Sequence, residues 1–145
     1  MSEESETAGD AVSVLAEALR AEYAAVYAYE FVGGSAGDED RRSRGLALAG
    51  EHKSTRAELR EAMLDRDGSP PAVRPTYPLP SDKDGRSIDD FVVGVENTCA
   101  RAALWLTAAD DTDLRTTGTR LLQEATVRAL EWGGELDSLP GFEGS

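Results

Sequence analysis

Gly68-Ser69-Pro70-Pro71-Ala72-Val73-Arg74-Pro75-Thr76-Tyr77-Pro78-Leu79-Pro80, continuing as a polar run to Ser87, is the stretch that decides how this chain folds. It holds five of the six prolines. Proline lacks a backbone donor and fixes φ near its extended value, so the stretch is predicted to be neither helix nor central strand but extended, near polyproline II. The 18 residues from Ser69 to Arg86 then reach about 55 Å, at about 3.1 Å per residue. A first helix of about 23 residues is only about 35 Å long. The segment is therefore long enough to run the whole length of a helical bundle. Pro75 and Pro78 also match PxxP, the pattern that proline-reading domains bind. A covalent crossover over residues 68–87 is the better reading.

Helical patterns flank the crossover on both sides. Upstream, Asp10 is a plausible N-cap, and Leu15, Ala18, Ala25 and Tyr29 recur at helical spacing up to Gly33-Gly34. Residues 1–9 read as a disordered acidic tail, leaving residues 10–145 as one domain. Asp38, Glu39 and Asp40 open a second helix, where acidic side chains suit the N-terminal dipole. The pairs Asp38/Arg42 and Asp40/Arg44 make the Arg41–Arg44 cluster a solvated face. Leu48, Thr55, Leu59 and Met63 carry the second helix to about Asp67, and Gly68 stops it. Downstream, Ser87 with Asp90 resembles a capping box for a third helix striped by Ile88, Phe91, Val92, Val95, Cys99, Ala102 and Leu106. Asp110 to Asp113 form a tight turn into a fourth, with Leu114, Gly118, Leu121, Leu122, Ala125, Ala129 and Trp132. Leu139-Pro140-Gly141-Phe142 is a terminal turn that brings Phe142 onto the bundle.

The composition bounds what such a chain does. Its 145 residues carry 28 acidic and 15 basic side chains, a net charge of −13, which disfavours nucleic acid and anionic membranes as partners. The acidic N-terminus has no apolar signal region, and no apolar run approaches the roughly 18 residues of a membrane helix. Cys99 is the one cysteine and forms no internal disulfide. The expectation is a reduced cytoplasmic protein. Cys99 on an apolar stripe is a core thiol before it is a nucleophile. Neither a Gly-x-Ser-x-Gly elbow nor a phosphate-cradling glycine motif is present.

Short turns make helices 1–2 and 3–4 antiparallel hairpins. Two hairpins joined by one long crossover is the connectivity of an all-α, ferritin-like four-helix bundle. Residues equally far from a hairpin turn sit at equal height. Glu22 and His52 are level to within about one residue, or under about 2 Å. Glu96 and Glu124 are level across the second turn. His52 is the sole histidine. These four residues resemble the ferritin-like di-metal pattern, in which two helices each give a Glu and two each give Glu-x-x-His. Ala49 stands where the second helix should give Glu, and Val127 where the fourth should give His. The resemblance therefore implies a degenerate di-iron site with Glu22, His52, Glu96 and Glu124 as metal candidates. One nitrogen and three carboxylates suit a single Fe, Mn or Zn ion better than two irons.

The chain also resembles a family of ferritin-like domains of unknown function, found mostly in actinobacteria. The resemblance rests on Leu19-Arg20-Ala21-Glu22-Tyr23-Ala24-Ala25-Val26-Tyr27-Ala28-Tyr29, Glu51-His52-Lys53-Ser54-Thr55-Arg56, Pro75-Thr76-Tyr77-Pro78-Leu79-Pro80 and Leu139-Pro140-Gly141-Phe142. It carries no established activity. A buried Glu22–His52 hydrogen bond without metal is the preferred account of that pair. Glu96 sits at the edge of its stripe, open to solvent or core, and Glu124 has Arg128 four residues on as an ordinary helix partner. The leading functional expectation is a non-catalytic binding or assembly module without a cofactor. The alternative is a single-metal protein with redox activity. Small residues on more than one face of helix 1, and apolar residues nearly all round helix 3 from Cys99 to Ala109, predict a homodimer. No small-molecule ligand is named by the sequence.

Overall fold

The computed structural model describes residues 3–136. Four helices and no strand occur among them: α1 (Glu3–Ser35), α2 (Glu39–Leu64), α3 (Gly85–Thr107) and α4 (Thr112–Glu131). Helices α1 and α2 pack as one hairpin, α3 and α4 as another, and α1 lies against α3. The expected four-helix bundle is the fold. The terminal turn Leu139–Phe142 lies outside the described residues.

Two glycines let the hairpins close tightly. A Cβ on Gly45 would stand 2.9 Å from the Gly33 amide nitrogen and 3.1 Å from the Tyr29 carbonyl. On Gly118 it would stand 2.6 Å from Leu106 Cβ and 2.7 Å from the Thr107 nitrogen. Gly33-Gly34, expected to end the first helix, falls in the last turn of α1, which stops at Ser35, and Gly33 also serves this close approach to α2. The start of α1 differs from expectation. The backbone is helical from Glu3, so Asp10 is an interior residue, not a cap, and residues 3–9 of the stretch expected to be disordered belong to the helix.

Aspartates cap the other helices. Asp38, Asp84 and Asp111 accept from the backbone amides of Arg41, Ser87 and Leu114 at 2.8, 3.0 and 3.2 Å. The cap of α3 thus lies three residues before the expected Ser87, whose hydroxyl donates back to Asp84 at 2.9 Å. α2 ends at a C-cap on Asp65, and the left-handed residue after it is Asp67 (φ 58°), not Gly68. Asp is among the few non-glycine residues that enter that region readily.

Two arginine clamps show the path of the crossover. At one end Arg66 holds Asp111 at 2.8 and 2.9 Å, tying the close of α2 to the start of α4. At the other, Arg41 grips both oxygens of Asp89 at 2.9 and 2.8 Å, tying the start of α2 to the start of α3. α2 and α3 are therefore parallel, and the extended chain between them spans the bundle. Tyr23 donates to the Pro71 carbonyl at 3.1 Å, and the Tyr27 and Tyr77 rings meet at 5.4 Å, which fastens the crossover along α1. The basic cluster is not the solvated face expected of it. Arg41 joins Asp38 and Asp89, Arg42 donates to the Ala36 carbonyl at 2.8 Å, and Arg44 lies 4.0 Å over the Trp132 ring. Arg41 and Arg44 thereby reach across to α3 and to Trp132 after α4 rather than standing free in solvent.

Candidate functional site: a buried ionic cluster at mid-bundle

Each helix contributes one charged side chain to the bundle interior: Glu22 from α1, His52 from α2, Glu96 from α3 and Arg128 from α4. Their exposures are 5%, 0%, 0% and 7%. Charges at such depth are costly unless paired, and here they alternate. His52 Nδ1 meets Glu22 Oε2 at 2.6 Å and its Nε2 meets Glu96 Oε2 at 2.9 Å. Arg128 Nε donates to the same Glu96 oxygen at 3.0 Å. The Tyr29 hydroxyl donates to it as well, with the Tyr29 ring stacked on the His52 imidazole at 5.3 Å. Glu96 Oε1 is buried and has no hydrogen-bond partner among the described residues.

The electrostatics are consistent with two carboxylates facing two cations. Burial alone would lower the His52 pKa, but hydrogen bonds to Glu22 and then Glu96 outweigh it and raise the value to about 9. His52 is thus an imidazolium at neutral pH. Burial would raise the Glu96 carboxyl, yet the His52 and Arg128 cations and the Tyr29 hydroxyl hold it below its usual value. Burial also works against the Arg128 charge, and the Glu96 carboxylate overrides it, raising the guanidinium further. Burial, then Glu96, keeps the Tyr29 phenol protonated. Burial, then Glu22 and Glu96, pushes the Cys99 thiol well up.

Of the four residues singled out in the sequence, the structure unites Glu22, His52 and Glu96. Glu96, read as an edge residue, is at the centre of the buried face of α3, which runs Ile88, Val92, Glu96, Cys99, Ala103 and Leu106. Glu124 is not among them. Its side chain is 41% exposed and ion-pairs with Arg120 at 3.3 Å, not with Arg128. The inward stripe of α4 is Leu114, Leu121, Ala125 and Arg128. At 3.6 residues per turn, Glu124 stands about a quarter-turn from its centre. Val127, where the di-metal pattern asks for histidine, is 52% exposed and further round still. Ala49, where it asks for glutamate, is buried in the apolar cluster with Tyr29, Val32 and Trp132. Arg128 and Tyr29 were the residues missed. Arg128 had a readable signal, since it lies three residues after Ala125 and seven after Leu121, on the inward stripe.

A two-metal centre does not fit this donor set. Both bridging and second-histidine positions are filled by apolar side chains, and a guanidinium occupies the ground of a cation. A smaller set remains close together: ligating atoms of Glu22, His52 and Cys99 lie within 4.8 Å of one another. Cys99 Sγ is 3.8 Å from Glu22 Oε2. Holding an ion there would require His52 and Cys99 to give up protons that their surroundings favour.

Known proteins place the chain by fold and family rather than by activity. A conserved hypothetical protein, rv2844, from Mycobacterium tuberculosis superposes with a TM-score of 0.78 at 22% identity, over 86% of this chain and 95% of that one. A ferritin-like, diiron-carboxylate protein from Bacillus anthracis superposes with a TM-score of 0.76 at 15% identity, over 91% and 96%. At these identities the likeness establishes the ferritin-like fold alone. No curated protein matches the sequence. The family described as a domain of unknown function, DUF4439, matches residues 14–144, so the chain belongs to that family of ferritin-like domains.

Proposed function

We propose that this protein is a non-catalytic binding module in which an organic ion cluster stands where ferritin-like enzymes of the di-metal type hold metal. The observation that carries this reading is the Arg128 guanidinium on Glu96. Together with the His52 imidazolium it offsets the carboxylates without a metal. Catalysis by bound metal needs a vacant or exchangeable ligand position, and both nitrogens of His52 are already engaged. The cluster's role is then structural: it fixes the register of four helices around one polar point.

A second reading is favoured by a specific observation, the convergence of Glu22, His52 and Cys99 with Glu96 Oε1 unpartnered beside them. These residues would hold one Zn, Mn or Fe ion. Metal content of the untagged protein, measured by mass spectrometry after loading with each ion, separates the two. The proposed reading expects no more metal in the wild type than in His52→Ala. Near-stoichiometric metal that disappears in His52→Ala and Cys99→Ala would replace it with the single-metal reading.

A further inference from the structure

A second concave feature lies away from the ionic cluster, on the outer face where α1 meets α3. α3 is apolar beyond its buried stripe. Phe91, Val95 and Ala102, which helical periodicity assigns to the core, are only partly buried. They face an open groove whose other wall is Ala21, Ala24 and Ala28 of α1. Because Tyr23 and Tyr27 tether the crossover to the flank of α1, its Tyr77 and Pro78 border the groove without filling it. One portion has a volume of about 380 Å³ and is nearly all apolar. It continues past Tyr77 and Thr98 into a second of about 420 Å³. Each lies in the size range of small-molecule sites.

The charge along this groove is polarised. The 420 Å³ portion is lined by Arg20, Arg74 and Arg101, with Glu17 its one acid and the exposed Trp105 beside Arg101 on α3. Arg20 is held by Glu17. The guanidinium groups of Arg74 and Arg101 have no hydrogen-bond or ion-pair partner among the described residues. The apolar portion ends instead at Asp90. Unpaired arginines gathered at one end of an apolar trough are notable on a chain of net charge −13. A guanidinium binds carboxylates bidentately. An acid at the far end repels the same head group and so sets a direction.

We propose that the α1/α3 groove binds an anionic amphiphile of the fatty-acid class. Its carboxylate is held by Arg74 and Arg101, and its unbranched tail lies along Ala24, Ala28, Phe91 and Gly94. A monoanionic head is chosen over a phosphate because the rest of the molecule repels negative charge. This site is independent of the ionic cluster and stands whether or not that cluster binds metal.

The test is calorimetric titration of the full chain with octanoate, decanoate and dodecanoate below their micellar concentrations, with Trp105 fluorescence as a second readout. Affinity is expected to rise about two- to fourfold per added methylene. Dodecyltrimethylammonium and acetate are expected to bind at least tenfold more weakly than dodecanoate, as each lacks one half of the match. The double substitution Arg74→Glu/Arg101→Glu should lose the preference for an anion. Gly94→Leu should block the tail while leaving the fold intact by circular dichroism, since a Cβ on Gly94 meets nothing within 4 Å. Dodecanoate binding unchanged in both variants would overturn the proposal. Dodecyl phosphate binding tenfold tighter than dodecanoate would overturn the choice of head group. A ligand-free dimer by light scattering that Gly94→Leu dissociates would give the face to a second copy of the chain instead.

Discussion

His52 and Arg128 carry the chemistry of the interior, and each makes a measurable claim. The pKa of His52 rises from 6.5 in the unfolded chain to about 9 in the folded one. A raised value means that its stabilisation is complete below about pH 6.5 and is lost as pH climbs through about 9, a span worth about 3 kcal/mol. Glu96 has the opposite sign. Its lowered value gives stability that is present above its ordinary 4.5 and is lost as pH falls through the folded-state value. Urea unfolding of the wild type should therefore be hardest between about pH 5 and 6.5. Compared with His52→Gln, it should show an extra alkaline decline; matching slopes in the two proteins would mean that His52 is neutral in the fold. Arg128→Leu leaves Glu96 with one cation fewer at full burial and should cost about 3–5 kcal/mol. Combining it with Glu96→Leu should recover part of that loss, because no uncompensated carboxylate then remains. Chain position gave the heights of Glu22, His52 and Glu96 but not the azimuth of α4. Height depends only on distance from a turn. Azimuth depends on which stripe packs inward, and the short side chains Gly118 and Ala125 left that ambiguous, so Glu124 drew attention that belonged to Arg128.

At the scale of an element, the helices illustrate how the same residue type serves opposite ends. Gly118 is required by contact: Gly118→Ala places a methyl 2.6 Å from Leu106 Cβ and should cost about 1–3 kcal/mol. Gly50, mid-helix in α2, has nothing within 4 Å of an added Cβ, so Gly50→Ala should stabilise by about 0.5–1 kcal/mol through helix propensity alone. Thermal unfolding of the two variants side by side reads both signs in one experiment. This duality also explains where sequence patterns were legible. The proline-rich segment excluded helix by its covalent chemistry, so the crossover could be read at once. Gly33-Gly34 was legible as a helix end, but not as a close-packing point, because the packing partner, Gly45, is on another element. Asp84 took the α3 cap from Ser87 because both residues satisfy the capping pattern and only the chain path decides between them.

For the molecule as a whole, charge and topology set the behaviour. No helix among the described residues is long and apolar enough to cross a membrane. A net charge of −13 on 145 residues makes the compact state repel itself. Added salt screens such exposed charges over about 8–10 Å near physiological strength and reaches buried pairs far less. The midpoint of thermal unfolding should thus rise between about 10 and 150 mM NaCl; a fall would mean that the surface pairs of Arg41 and Arg66 outweigh the repulsion.

The distribution of the cluster between the two hairpins has its own consequence for assembly. Glu22 and His52 share the first hairpin, whereas Glu96 and Arg128 share the second. Each hairpin thus brings one acidic and one basic side chain to the centre of the bundle, so that opposite charges meet both within and between the halves. Besides packing along α1, the crossover acts as a leash that keeps the second half at high effective concentration. Cutting it between Ser81 and Asp82 should leave two fragments that recombine into the native bundle, now with a concentration-dependent midpoint. The same length lets each chain close on itself, so shortening the crossover below the span of the bundle should drive the hairpins to exchange between chains as swapped dimers.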